Sequence, residues 1–144
     1  MTASSRHDDS MPGADAPAPP ELRVGVHLFN AGEFFECHEV LEELWRRERR
    51  PIRELYQGVL QVGVGFYHLG RGNFRGAVNL LGYGLARLHR VPAGAHGLDL
   101  GPLVAQATRC RERLLELGPE RLGQFDRAMI PKIGWLPRST TAER

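Results

Sequence analysis

A nearly all-apolar segment of the chain reads IRELYQGVLQVGVGFYHL, from Ile52 to Leu69. A helix that is apolar on almost every face is usually buried among other elements. Its glycines Gly58, Gly63 and Gly65 each cost about 1 kcal/mol relative to alanine. That cost is offset most easily where another backbone or a ligand comes close to the helix. The segment therefore predicts a central helix with closely packed neighbours.

The sequence on both sides of this segment has helical periodicity, and no stretch alternates apolar and polar residues for long enough to indicate a strand. A shorter helix is expected from Pro119, ending before Pro131. Short connections place consecutive helices antiparallel. The predicted fold class is all-α, a compact bundle of five to six antiparallel helices. The five main helices are predicted over 21–30, 33–49, 52–69, 74–90 and 102–117, with Asn73 as the N-cap of the fourth.

Composition limits the class of protein. The chain has 144 residues, of which 42% are apolar, which is enough for one domain with its own core. Residues 1–20 contain four prolines among small and polar side chains and predict a disordered lead. The domain is expected over 21–136, followed by a flexible tail over 137–144.

The charge balance and the cysteine count exclude several functions. Basic residues number 19 against 17 acidic ones, which is not the strongly basic balance of a dedicated nucleic-acid-binding protein. Two cysteines are too few for a disulfide scaffold. No segment approaches the roughly 20 apolar residues of a membrane span, and no signal peptide is recognisable. The sequence predicts a cytoplasmic protein that contacts neither membrane nor nucleic acid.

A polar stripe lies on the second predicted helix. At about 100° per residue, His38, Glu42 and Trp45 share one narrow face beside the core. In a hairpin folded about Pro51, Gln61 comes level with His38, and the preceding polar residue of the third helix, Gln57, comes level with Glu42. We expect the polar stripes of the two helices to be close enough to meet.

One hypothesis for this stripe is a divalent metal site. A His/Glu pair spaced i,i+4 can supply an imidazole nitrogen and a carboxylate to one ion, such as zinc, manganese or iron. Glu39 and His68 are the candidates for a third ligand to join His38 and Glu42. His68 lies about 10 Å further along its helix than Gln61, which makes it a poor partner.

Known metalloenzyme motifs do not match this stripe. The residues His38, Glu39 and Glu42 differ from the H-E-x-x-H protease motif in the last ligand. A carboxylate-bridged di-iron site would need a glutamate where the chain has Phe35. The sequence assigns no reaction, and whether the protein is an enzyme stays open.

Two non-metal hypotheses stand beside the metal site. The first is a buried hydrogen-bond network that fixes the register of the hairpin. The second is a non-catalytic module that contacts a ligand or a protein through Gln57, Gln61 and Trp45. Its candidate partners are another copy of the chain, a different protein or a small molecule. The residues of the network are His38, Glu42, Gln57, Gln61 and the indole N–H of Trp45.

Three segments resemble a known family. They are FNAGEFFECHEVLEELW (29–45), QGVLQ (57–61) and YHLGRGNFRGAVNLL (67–81). Together they are similar to the bacterial and archaeal domain-of-unknown-function 309 family, whose hallmark H-x-x-x-E-x-x-W corresponds here to His38, Glu42 and Trp45. The resemblance covers about residues 24–90. It implies a small helical bundle without an established activity, with the His/Glu motif as a candidate metal site.

Overall fold

A computed structural model describes residues 11–137 of the chain. Consecutive helices pack against each other, and α3 lies between α2 and α4. The predicted all-α fold class is confirmed. The helices are α1 (Pro20–Asn30), α2 (Phe34–Arg47), α3 (Arg53–Gly70), α4 (Phe74–Leu88) and α5 (Leu100–Leu117).

The C-terminal part contains shorter elements than predicted. The helix expected after Gly118 is a 3-10 helix, Pro119–Gln124, which Arg121 interrupts with non-helical backbone angles. Further 3-10 turns cover Ala95–Gly97 and Arg127–Met129. Two strands, β1 (Leu98–Asp99) and β2 (Gly134–Trp135), pair antiparallel, with Leu98 opposite Trp135. Strands of two residues are too short to produce a sequence alternation, so the periodicity could not predict them.

Helix boundaries follow local chemistry. Asn73 caps α4 as predicted, because its side-chain oxygen accepts a hydrogen bond from the N–H of Gly76 at 2.9 Å. Helix α5 begins at Leu100 and not at residue 102 as predicted. Pro102 is compatible with this earlier start, because in the first turn its missing N–H breaks no helical hydrogen bond. Gly72 has a φ of +75° and ends the turn after α3, a conformation that glycine adopts without strain.

The glycines of α3 let α4 approach closely. A Cβ added to Gly84 of α4 would lie 2.8 Å from the carbonyl oxygen of Gly58 and 2.8 Å from the backbone nitrogen of Val62. A Cβ on Gly65 would lie 3.0 Å from the backbone nitrogen of Leu81. The predicted close approach to α3 is therefore confirmed at two of its three glycines.

The predicted N-terminal lead falls into two parts. Residues 1–10 lie outside the described residues. Residues 11–19 pack on the bundle, where Ala14 and Ala18 are buried. His96 holds them, because its backbone N–H donates to the carbonyl of Ala14 at 2.7 Å and its Nδ1 lies 2.7 Å from the carbonyl oxygen of Ala16. We name residues 11–19 the N-terminal strap.

Within residues 11–137, none of the helices combines the length and the hydropathy that crossing a lipid bilayer requires.

The turn between α2 and α3 is held by a compact ion pair. Glu48 Oε2 accepts hydrogen bonds from the backbone N–H and the Nε of Arg50, at 2.9 and 3.0 Å. The hydrogen bonding from the Arg50 side chain is the main cause that lowers the pKa of Glu48 from 4.5 to about 2. A carboxyl with a lowered folded-state pKa stabilises the fold above its unfolded pKa and loses that contribution as the pH falls towards 2.

We therefore expect Glu48→Gln to lower the free energy of unfolding by about 1 kcal/mol at pH 7, a value reduced because the Arg50 side chain is exposed. The difference between variant and wild type is expected to shrink as the pH falls from 5 to 2, because Glu48 is increasingly protonated and then carries no more charge than the glutamine. Urea denaturation at several pH values measures it. A difference that stays constant down to pH 2 would contradict the assignment.

Candidate functional site

The His/Glu pair of the motif lies on the surface of α2. His38 Nε2 is 3.0 Å from Glu42 Oε1, and the two side chains are 31% and 33% exposed. Arg46, one turn further along, donates from Nη2 to the other carboxylate oxygen of Glu42 at 3.1 Å. Both oxygens of Glu42 are therefore engaged by neighbours on its own helix.

Trp45 is held at the end of α2 by an arginine from α3. The guanidinium of Arg53 lies over the indole ring, 4.2 Å from its centroid, in a cation–π contact. Arg53 also donates to two carbonyls at the C-terminal end of α2, from Nε to Glu48 at 2.8 Å and from Nη2 to Trp45 at 3.2 Å. Trp45 itself is half-buried against the core. Its contacts fix the corner between the two helices.

Gln61 belongs to a second cluster, which joins α3 to α4. Its Oε1 accepts a hydrogen bond from Nε of Arg87 at 3.1 Å. Arg87 Nη1 donates to both carboxylate oxygens of Glu54 at 3.1 and 3.0 Å, and Nη1 of Arg90 lies 3.4 Å from Glu54 Oε1. We name Glu54, Gln61, Arg87 and Arg90 the arginine cluster.

The two polar stripes do not meet in the structure. Among residues 11–137, neither His38 nor Glu42 has a hydrogen bond with Gln57 or Gln61. Gln61 is turned towards Arg87 on α4 instead, and Gln57 is half-buried. The physical reason is the tight glycine contact, which brings the polar residues of α4 within reach of α3. Two separate surface clusters replace the single buried network that was one of the sequence hypotheses.

The candidate metal ligands come together only in part. Glu39 is exposed, and His68 lies at the turn after α3, with its Nδ1 3.3 Å from Asn73 Nδ2. In the part of the chain that the structure describes, no group of three His, Cys, Asp or Glu side chains is arranged to hold a metal ion. His38 and Glu42 form the one pair of the four candidates that the structure brings into contact.

A cavity opens beside the arginine cluster. It has a volume of about 260 Å³ and is lined by Gln61, Tyr83, Ala86, Arg87 and Arg90. The side chain of Tyr83 is exposed, at 58%. Two guanidinium groups share the single carboxylate of Glu54, so the cluster carries an excess of one positive charge.

The comparisons with known proteins bear on this part of the molecule. Residues 22–80 match the family model described as Domain of unknown function (DUF309). We name residues 22–80 the DUF309 segment, after the family model that they match. The predicted resemblance to this family is thereby confirmed over α1, α2, α3 and the first half of α4. The DUF309 segment contains the motif residues His38, Glu42 and Trp45 together with Gln61.

Two uncharacterised bacterial proteins are similar to the chain. An "Uncharacterized protein" of Aquifex aeolicus (strain VF5) is 26% identical over 85 residues, which are 58% of this chain and 26% of that protein. The "Uncharacterized protein YpuF" of Bacillus subtilis (strain 168) is 38% identical over 83 residues, which are 55% of this chain and 47% of that protein. The matched region thus spans less than half the length of either relative.

A buried polar pair outside the DUF309 motif was not predicted. The hydroxyl of Tyr56 lies 2.9 Å from Nε2 of His96, and both side chains are buried. Burial raises the pKa of Tyr56 to about 12, so its hydroxyl stays protonated. Both contacts are satisfied in the tautomer whose Nδ1–H donates to the carbonyl of Ala16 and whose Nε2 accepts from the hydroxyl of Tyr56. The sequence offered no signal for this pair, because 40 residues separate its members.

Proposed function

We propose that the chain is a non-catalytic interaction module that binds an acidic segment of a partner protein at the arginine cluster. The observation that carries this proposal is the sharing of one carboxylate, Glu54, by Arg87 and Arg90 at the edge of an open cavity. An incoming carboxylate would restore the charge balance. Guanidinium groups bind carboxylates through charge-assisted hydrogen bonds in a fixed planar geometry.

Unused hydrogen-bond donors around the cavity support the same ligand. Arg90 is exposed and reaches Glu54 with Nη1 at 3.4 Å, which leaves Nη2 and Nε without a partner among the described residues. The hydroxyl of Tyr83 and the amide nitrogen of Gln61 also have no hydrogen bond to a described residue. Four groups can therefore donate to one acidic side chain: one on α3, one on α4 and two on Arg90, which follows the end of α4. This assigns a ligand-binding role to Gln61, as the sequence analysis predicted.

The chemistry of the cysteines favours binding over covalent catalysis. Burial raises the pKa of Cys37 to about 12 and that of Cys110 to about 11. Both thiols are thus protonated at neutral pH and are poor nucleophiles. Their free state is compatible with the predicted cytoplasmic location, which stays a prediction.

The competing hypothesis is a divalent metal at His38 and Glu42. That pair supplies two ligands, whereas stable zinc and iron sites take three or four in good geometry. Arg46 already places a positive charge against the second oxygen of Glu42. A metal would have to displace this guanidinium and recruit further ligands. A second copy of the chain is proposed as the partner of a different surface, on α5.

An NMR titration with an oligoglutamate peptide tests the proposed function. We expect the largest shifts at the side chains of Gln61, Arg87 and Arg90. Arg90→Glu is expected to weaken binding about tenfold, or ~1.4 kcal/mol, because it removes two of the four donor groups and reverses a charge. Arg75→Glu makes the same charge change at the opposite end of α4 and serves as the matched control.

Three outcomes separate the hypotheses. Absence of shifts, or equal weakening by both arginine variants, contradicts an acidic ligand at the arginine cluster. Titration with zinc alone probes the competing site. Shifts confined to His38 and Glu42 that disappear in His38→Ala would favour the metal hypothesis.

A further inference from the structure

Helix α5 carries an apolar recess on its outward side. A cavity of about 590 Å³ lies between the first half of α5 and the end of α4. Polar residues, among them Thr108, Arg109 and Glu112, form part of its lining. The apolar side chains that line it include Leu88, Val91, Leu100 and Val104.

An exposed apolar side chain occupies the same face of α5 nearer its C-terminal end. Leu115 is 51% exposed. At 100° per residue, Leu115 lies within about 20° of both Val104 and Thr108 when viewed down the helix axis. One face of one helix therefore presents a recess towards its N-terminal end and a projecting leucine towards its C-terminal end.

Two opposite charges flank this face. Arg109 donates from Nε and Nη2 to Gln106 Oε1, at 3.1 and 2.8 Å, and so turns away from Glu112. Glu112 is exposed and has no ion pair with any residue in the described range 11–137. Both side chains point to the same side of the outward face, since their positions differ by about 60° around the helix. They are available to a partner that offers the complementary pair.

We propose that a second copy of the chain docks here, with the two α5 helices antiparallel about a two-fold axis. In such a pair each contact occurs twice. The register in which Arg109 faces the partner's Glu112 also sets the partner's Leu115 opposite position 106. Position 106 lies between Ala105 and Thr108, which both line the recess. One register therefore brings Arg109 opposite the partner's Glu112 and also brings the partner's Leu115 to the recess. All of these side chains lie on the outward face of α5.

The terminal segments of the chain do not offer a substitute for this leucine. Apart from Met1, residues 1–10 and 138–144 contain no apolar side chain larger than alanine. Residues 1–10 and 138–144 therefore do not supply the apolar side chain that the recess would accept, whereas Leu115 of another copy would. This inference is independent of the acidic-ligand site, which lies on α3 and α4.

Sedimentation equilibrium of the full chain over a range of concentrations tests the interface. We expect a monomer–dimer equilibrium for the wild type. Leu115→Asp is expected to raise the dissociation constant at least about tenfold, because it places a charge in the apolar recess of each partner. Val24→Asp changes a comparably exposed residue on α1, at 48%, and is expected to leave the dimer unchanged. Circular dichroism checks that both variants are folded.

A charge exchange tests the register. Arg109→Glu and Glu112→Arg alone are each expected to weaken the dimer, because each sets like charges against each other twice. The double variant restores opposite charges and is expected to recover wild-type association. A wild type that sediments as a monomer at every concentration overturns the proposal. So does a dimer insensitive to Leu115→Asp, or a double variant that fails to recover.

Discussion

Replacing Gly84 by alanine is expected to lower the free energy of unfolding by about 3 kcal/mol. The new methyl group would lie 2.8 Å from backbone atoms of both Gly58 and Val62, and backbone atoms cannot move aside as a flexible side chain does. The helices α3 and α4 would have to separate. Overpacking of a tight core contact costs typically 1–3 kcal/mol, and a clash with backbone belongs at the upper end. Guanidinium denaturation measures the loss.

Gly63→Ala is the matched control for this prediction. Gly63 is also buried in the bundle, but a Cβ there would make ordinary contacts, 3.6 to 3.8 Å from ring atoms of Phe29 and Phe34. Alanine is the better helix former by about 1 kcal/mol, so the control is expected to be neutral or slightly stabilising. Equal destabilisation by the two substitutions would show that the α3–α4 contact is looser than described.

The glycines also show how far the sequence could predict the fold. Gly58 and Gly65 stand out because they interrupt an apolar helix, so a close neighbour could be inferred from α3 alone. Which residue lies opposite could not be inferred, because Gly84 is 26 residues from Gly58 and its local sequence does not mark it as the contact position. Periodicity predicts helices and their buried faces, whereas their mutual rotation depends on contacts between distant residues.

The same distinction applies to the candidate site. The contact between His38 and Glu42 was predictable because residues four apart on one helix are neighbours. The contact between Gln61 and Arg87 was not, because it crosses from α3 to α4. The predicted polar stripe of α3, which contains Gln61, is thus separated from the stripe of α2, which contains His38 and Glu42, because Gln61 is turned towards α4.

The DUF309 motif has a structural role that is compatible with the proposed binding function. Trp45 and Arg53 join the end of α2 to the start of α3, and Glu48 and Arg50 hold the turn between them. Glu54, which receives both arginines of the arginine cluster, follows directly after Arg53. Trp45, the last residue of the motif, therefore helps to hold the α2–α3 corner next to the carboxylate on which the proposed acidic-ligand site is built.

The second large effect is expected at His96. Replacing it by alanine is expected to lower the free energy of unfolding by about 3 kcal/mol. The hydroxyl of Tyr56 and the carbonyl of Ala16 would both lose their partner, and an orphaned buried polar group costs about 1–3 kcal/mol. The backbone N–H at position 96 can donate to the carbonyl of Ala14 whether the residue there is histidine or alanine. Alanine also tolerates the φ of +55° at this position less well than histidine.

Hydrogen exchange distinguishes local release of the N-terminal strap from a general loss of stability. In His96→Ala, the amides of Ala14 and Ala16 in the N-terminal strap are expected to exchange faster than those of α3, because the lost side chain anchors the strap locally. Tyr56→Phe removes only the hydroxyl, and its expected cost is about 1–2 kcal/mol, with the bond to Ala16 retained. Strap protection that is unchanged in His96→Ala would contradict the role assigned to the ring. In Gly84→Ala, by contrast, faster exchange is expected in α3 and α4, since the perturbed contact lies between those helices.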